Sequence, residues 1–107
     1  MRHNVNELHY KLPSDIDWTD MEMVPASGTL DIETADTKNG TVRTFRLSAV
    51  LPKKHPAGPS YLAGDLRIQV VYDSGYRIQL GTKEMPARVK VSGSETLNIT
   101  CDWQDAL

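Results

Sequence analysis

The densest set of residues able to do chemistry is Asp15, Asp17, Asp20 and Glu22. Calcium takes several carboxylate oxygens at once, and an EF-hand loop supplies them at set positions around a central glycine. Neither the spacing nor the glycine is present, so the group reads as a solvated acidic segment. His3, His9 and His55 are widely separated. His3 and His9 are not two or four residues apart, the separations at which a strand or a helix aims two imidazoles at one zinc ion. They read as surface histidines. Cys101 is the only cysteine, which excludes an internal disulfide and a multi-cysteine zinc site. It falls on the apolar side of an alternating run, where a thiol behaves as a small hydrophobe. Nucleophilic catalysis needs a hydroxyl or thiol beside an oriented base. No Gly-x-Ser-x-Gly elbow, phosphate-cradling glycine loop or dinucleotide fingerprint occurs. The expectation is a protein that is not an enzyme and uses no metal and no cofactor.

Contact chemistry is better represented. The stretch from Pro52 to Gly64 holds three prolines, two glycines and the one basic cluster, Lys53-Lys54-His55. Irregular segments of this length inside a small domain commonly carry function. Lys53, Lys54, His55 and Tyr61 therefore form a candidate contact loop. Trp18 and Tyr61 lie outside the alternating runs and are the candidate platform for stacking on a sugar or another flat ligand. Phe45, Tyr72 and Trp103 alternate with polar residues and read as core. Asn39-Gly40-Thr41 and Asn98-Ile99-Thr100 match glycosylation acceptors, but no secretory signal accompanies them.

The elements that must position these residues are strands. Leu97, Ile99, Cys101 and Trp103 alternate with Asn98, Thr100 and Asp102, which puts one face in a core and the other in water. Leu66, Ile68, Val70 and Tyr72 do the same, and after Asp73-Ser74-Gly75 so do Tyr76, Ile78 and Leu80. That pair reads as a hairpin in which Gly75 takes a positive φ. Leu30 and Ile32 lead through Lys38-Asn39-Gly40 to a return strand over 41–50 with Phe45, Leu47 and Ala49 on one face. Ala87, Val89 and Val91 make a sixth run, and Leu8, Tyr10 and Leu12 a weaker one that ends at Pro13. About seven antiparallel strands at this spacing indicate an all-β sandwich or partly open barrel. Residues 14–27 read as an irregular connection with at most one short helical turn capped by Ser14, and 52–64 as a long loop.

The chain of 107 residues suits one domain over 1–107, with a single core. A net charge of −2 without a basic face argues against nucleic acid as a partner. No stretch is long and apolar enough to span a bilayer, and the N-terminus lacks the apolar run of a signal peptide. The expected location is the cytoplasm.

The run Tyr76-Arg77-Ile78-Gln79-Leu80-Gly81, followed by Met85-Pro86-Ala87-Arg88-Val89, resembles small β-rich structural proteins encoded in prophages. Asn6-Glu7-Leu8-His9-Tyr10 and Gly28-Thr29-Leu30 add to the likeness. The resemblance implies a virion-associated assembly component without a cofactor, and it carries no site residue with it. The leading expectation is a non-enzymatic structural or protein-interaction module, with a protein partner or self-association through an edge strand. The alternative is a small ligand- or carbohydrate-binding β-sandwich whose ligand the residues do not name.

Overall fold

Within the computed structural model, residues 1–11, 24–51, 64–82, 84–93 and 96–106 are described, and every regular element among them is a strand. These are β1 (Arg2–Lys11), β2 (Val24–Thr37), β3 (Gly40–Leu51), β4 (Gly64–Tyr72), β5 (Tyr76–Leu80), β6 (Ala87–Ser92) and β7 (Leu97–Ala106). Alternation located all seven; their ends needed more than alternation. A bulge between Val5 and Glu7 shifts the register of β1 against both neighbours. It turns Val5 and Leu8, three residues apart, into the same core, a spacing that a period of two passes over. β2 starts at Val24, so 24–27 is strand and not part of an irregular connection. Pro25 is tolerated there because it faces Glu7 of β1 at a level where β3 has not yet begun to pair, at Ser27. The remainder of that connection, and 52–63 of the long loop, lie outside the described residues.

The seven strands form a single antiparallel sheet that curls on itself. Pairing runs from β1 through β2, β3, β7, β6 and β4, and β4 returns to β1. Of the two architectures the alternation allowed, this is the partly open barrel. The opening follows from how β5 and β6 share β4. β6 pairs with Gly64–Leu66 of β4 and β5 with Ile68–Tyr72, in succession along the same edge. Between them the described residues, 81, 82 and 84–86, step out of the sheet. β6 goes on to pair with β7 from Arg88↔Asp102 to Ser92↔Asn98. Among the described residues β5 has no second neighbour, and residues 103–106 of β7 pair with β3 alone.

Inside the closed part, Leu8, Leu30, Phe45, Leu51, Ile68, Val70 and Leu80 are almost fully buried, with Leu47, Ala49, Ala87, Val89, Ile99 and Cys101 between them. Each large side chain contributes about 1.5–3 kcal/mol of burial. Gly28 lies at an inward position between Val5 of β1 and Ala49 of β3. Its φ is +148°, and a Cβ there would collide with the backbone oxygen of Ser48 and sit 2.7 Å from the Cα of Ala49. A side chain would force β2 and β3 apart.

On the outer surface one rung of directly opposed residues alternates in charge across six strands. Arg2 faces Asp31, Asp31 faces Arg46, Arg46 faces Asp102, Asp102 faces Arg88, and Arg88 faces Asp65. Opposite charges on facing residues favour this register over a slip by two, which would keep the faces but lose the matches. Along its other edge β1 has already reached Lys11 where it meets Arg67 of β4. The rung therefore climbs most of the length of β1 in one circuit, as the stagger of a tilted barrel requires.

Candidate functional site

Lys53, Lys54, His55 and Tyr61 of the candidate contact loop, Trp18 and Tyr61 of the candidate platform, and the acidic group from Asp15 to Glu22 all lie outside the described residues. Among the described residues no group of three or more His, Cys, Asp or Glu side chains could hold a metal ion. Cys101 is buried, and burial first, then the neighbouring Asp102 charge, pushes its thiol up to about 11. A thiol held protonated in this way is a poor nucleophile. His9 corrects the reading of the histidines as surface groups. It is only 6% exposed, although it faces Gln69 on the side of the sheet away from the core; spacing along a chain does not report what lies over a strand's outer face.

The candidate features gather where β5 and β7 part. Core-facing phase continues to this end of the barrel, but the residues change character. β3 goes from Leu47 and Phe45 to Arg43, and β7 from Cys101 and Trp103 to Asp105. Arg43 and Asp105 face each other across the two strands. The guanidinium donates to both carboxylate oxygens, Nε to Oδ1 at 3.1 Å and an Nη to Oδ2 at 2.7 Å. This two-pronged bond raises the Arg43 pKa above its ordinary value. The same guanidinium lies over the Phe45 ring, 5.1 Å from its centre, and Phe45 packs on Trp103 at 5.7 Å.

The opposite wall is a second file of rings. His3 leans on Tyr72 at 4.8 Å, and Tyr72 stacks on Tyr76 at 5.7 Å. Burial falls steadily along β5 toward this end, from Leu80, fully buried, through half-buried Ile78, to Tyr76 at 65% exposed. At the other end of β5 the described residues of the excursion, 81, 82 and 84–86, are pinned in place. Thr82 and Met85 exchange two hydrogen bonds of 2.9 Å, the Gln79 amide donates to the Gly81 carbonyl, and the Trp103 indole N–H donates to the Met85 carbonyl at 3.2 Å. The Met85 side chain is left 52% exposed.

The turn that presents β5 is held under strain. Gly75 does not take the positive φ; Asp73 (47°) and Ser74 (63°) do. The left-handed conformation is uncommon for non-glycine residues and persists where surrounding contacts over-determine it. Here β1 supplies those contacts. Asp73 accepts from the Asn4 N–H at 3.0 Å and lies 2.6 Å from His3 Nδ1, its own N–H donates to the Asn4 carbonyl, and the Ser74 N–H donates to Asn6 Oδ1 at 2.7 Å. The bond to His3 first, then the Asn4 N–H, holds the Asp73 carboxyl below its ordinary value. Two open surface concavities lie elsewhere, on the charged outer face. Arg88, Lys90, Thr100 and Asp102 border one, and Asp31, Glu33, Thr44 and Arg46 the other.

Comparison with protein-family models, with curated proteins and with solved structures returned no match. The site therefore rests on its own geometry. Sequence reading missed Arg43, Asp105, Tyr76 and Met85, though a signal existed. Arg43 and Asp105 are charged residues in phase with Phe45, Leu47, Cys101 and Trp103, and charge at an inward position marks the end of a core.

Proposed function

We propose that the protein is a non-enzymatic interaction and assembly module that recruits a β-strand to the free edge of β5. The single observation that carries this reading is β5 itself. It is paired on one side only among the described residues, with exposed Tyr76 at one end and exposed Met85 just beyond the other. Alternate backbone N–H and C=O groups of such a strand point away from the sheet and form a template for another chain. Lysine, proline or a bulge commonly guards such an edge. β5 has none of these, and Arg77 is its only charge. Strand addition supplies main-chain hydrogen bonds, with specificity left to alternate side chains. The likeness of this region to prophage-encoded structural proteins points the same way, toward a component that is cytoplasmic before assembly. Lys53, Lys54, His55 and Tyr61, the candidate contact residues of the sequence, would be a second place of contact in this reading. No helix among the described residues is long and apolar enough to cross a membrane.

Amide hydrogen exchange on dilute protein tests the proposal. Alternate amides of 76–80 should exchange far faster than those of β3. Uniform slow exchange across β5 in a monomer would mean that the edge is covered, and the proposal would fall.

One observation favours the carbohydrate-binding alternative. Tyr76 presents an exposed ring stacked on Tyr72 at an end that also holds Arg43 and Asp105. Titration with simple sugars, followed through Trp103 fluorescence, would support that reading if it saturated and if Tyr76→Ala abolished the change.

A further inference from the structure

We infer that the strand which occupies the β5 edge is β5 of a second copy of this chain, running antiparallel, with Ile78 beside the two-fold axis. The inference rests on the reading of β5 as a free edge and names its partner. Among homo-oligomers a closed two-fold dimer is the commonest arrangement, and its interface brings the same patch of both copies together.

Three features of the strand favour its own copy. The first is charge. Centred on Ile78, the antiparallel register sets Arg77 opposite the other copy's Gln79, twice over, so that a guanidinium meets a neutral amide. A register centred on Arg77 would oppose two guanidinium groups, which is unfavourable for directly facing residues. The second is length. Only the register centred on Ile78 uses all five residues of β5, pairing Tyr76 with the other copy's Leu80 and Ile78 with itself. The third is the placement of exposed apolar surface. Tyr76 stands at the start of β5, and Met85 belongs to the excursion that follows Leu80. A two-fold rotation exchanges the two ends of the strand, so the exposed Tyr76 of each copy is carried to the Leu80 and Met85 end of the other. The faces also match, since facing residues in this register are both inward or both outward. Among the described residues, 33–37 of β2 also have a strand neighbour on one side only, but they carry Glu33 and Asp36 and no large apolar side chain. The remaining edge, residues 103–106 of β7, is a poorer template as well. It is shorter, and the Trp103 indole already bonds across the opening to Met85.

Sedimentation velocity over a concentration series, combined with an engineered cross-link, tests the inference. The intact protein is expected to form a discrete dimer. Ile78→Cys should oxidise to a covalent dimer, because directly opposed strand residues lie about 4.5–5.5 Å apart at Cα, within disulfide reach. Lys90→Cys on the outer face of β6 should not, and Cys101 is buried and does not compete. Ile78→Lys places a charge on the inward side of the edge and should weaken the dimer by roughly a hundredfold. Tyr76→Ser, at an exposed position that leaves the monomer folded, should weaken it by roughly tenfold. A monomer up to millimolar concentration overturns the inference; fast exchange of the β5 amides in that monomer would leave the broader edge reading standing. A dimer that neither cross-links at 78 nor responds to these substitutions overturns it as well, by placing the interface elsewhere.

Discussion

β3 and β5 carry the same alternation of apolar and polar residues, yet they end in opposite environments. β3 is flanked by β2 and β7 along most of its length, and Phe45, Leu47, Ala49 and Leu51 are all buried. Among the described residues β5 has β4 on one side only, and of its inward residues Leu80 is buried, Ile78 half-buried and Tyr76 largely exposed. Alternation therefore reports that a segment is a strand with one apolar face. It does not report whether that strand has a second neighbour or an opposite wall to pack against. The difference between interior and edge is a property of topology, and among the described residues β5 is the whole strand that topology leaves with a single neighbour.

The largest effects should fall in the closed half. Phe45→Ala empties a fully buried position and should cost about 3–5 kcal/mol. Gly28→Ala adds a methyl group where the β3 backbone leaves no space, at a φ that only glycine adopts readily, and should cost about 2–4 kcal/mol through strain between β2 and β3. Urea unfolding followed by Trp fluorescence measures both. A loss below about 1 kcal/mol for either would mean that β2 and β3 pack more loosely than their register implies.

The middle of the scale compares two ion pairs. Arg43 and Asp105 are 33% and 21% exposed and share two hydrogen bonds, whereas Arg88 and Asp65 are 77% and 53% exposed at 3.5 Å. Double-mutant cycles should give a coupling of about 1–2 kcal/mol for the first pair and below about 0.5 kcal/mol for the second. Equal couplings would show that the open end is as wet as the outer face. The Arg43 pair would then be a surface feature and not part of the barrel's end wall.

The positions of these groups in the chain explain how far the fold could be read in advance. All seven strands were legible because each is half-buried, so its side chains alternate. The Val5–Glu7 bulge was not, because it places inward residues three apart. The start of β2 was hidden by Pro25, which reads as a breaker unless one knows that β2 has a single neighbour there. The curled sheet, and with it the choice of barrel over sandwich, depends on the β1–β4 pairing between segments about sixty residues apart, which no local pattern encodes. The candidate site was legible only in part. The Asp73-Ser74-Gly75 turn was visible, but its positive φ values fall on Asp73 and Ser74 because Asn4, Asn6 and His3, remote in sequence, hold them.

A smaller effect should appear at that turn, and its sign is set by linkage. The folded state holds the Asp73 carboxyl below its ordinary value of 3.8. Its stabilisation is therefore present above that value and is lost as pH falls through the lower folded value. Asp73→Asn keeps the shape and tolerates a positive φ but cannot ionise. Urea midpoints from roughly pH 2 to pH 6 should show wild type above the variant at the upper end and the two curves converging in acid. Parallel curves would indicate that the carboxylate charge adds nothing to the clamp between β1 and the turn.

A small effect on the monomer is expected at Tyr76, which the proposed dimer would use as a contact. Tyr76 faces inward by phase, as Phe45 does, and a reading from alternation alone would assign the two similar costs of truncation. Tyr76 is 65% exposed, and its ring stacks on Tyr72. Removing it from a monomer gives up one aromatic contact and little burial, so Tyr76→Ala should cost no more than about 1 kcal/mol. The measurement must be made well below the concentration at which dimers form, because binding to the folded state adds apparent stability. If Tyr76→Ala proved as costly as Phe45→Ala in that monomer, β5 would be an interior strand of a closed barrel and would have no edge to offer. A small cost in the monomer together with a large loss of association would separate the two roles that one alternating pattern conceals: Phe45 holds the barrel together, and Tyr76 is kept for a neighbour.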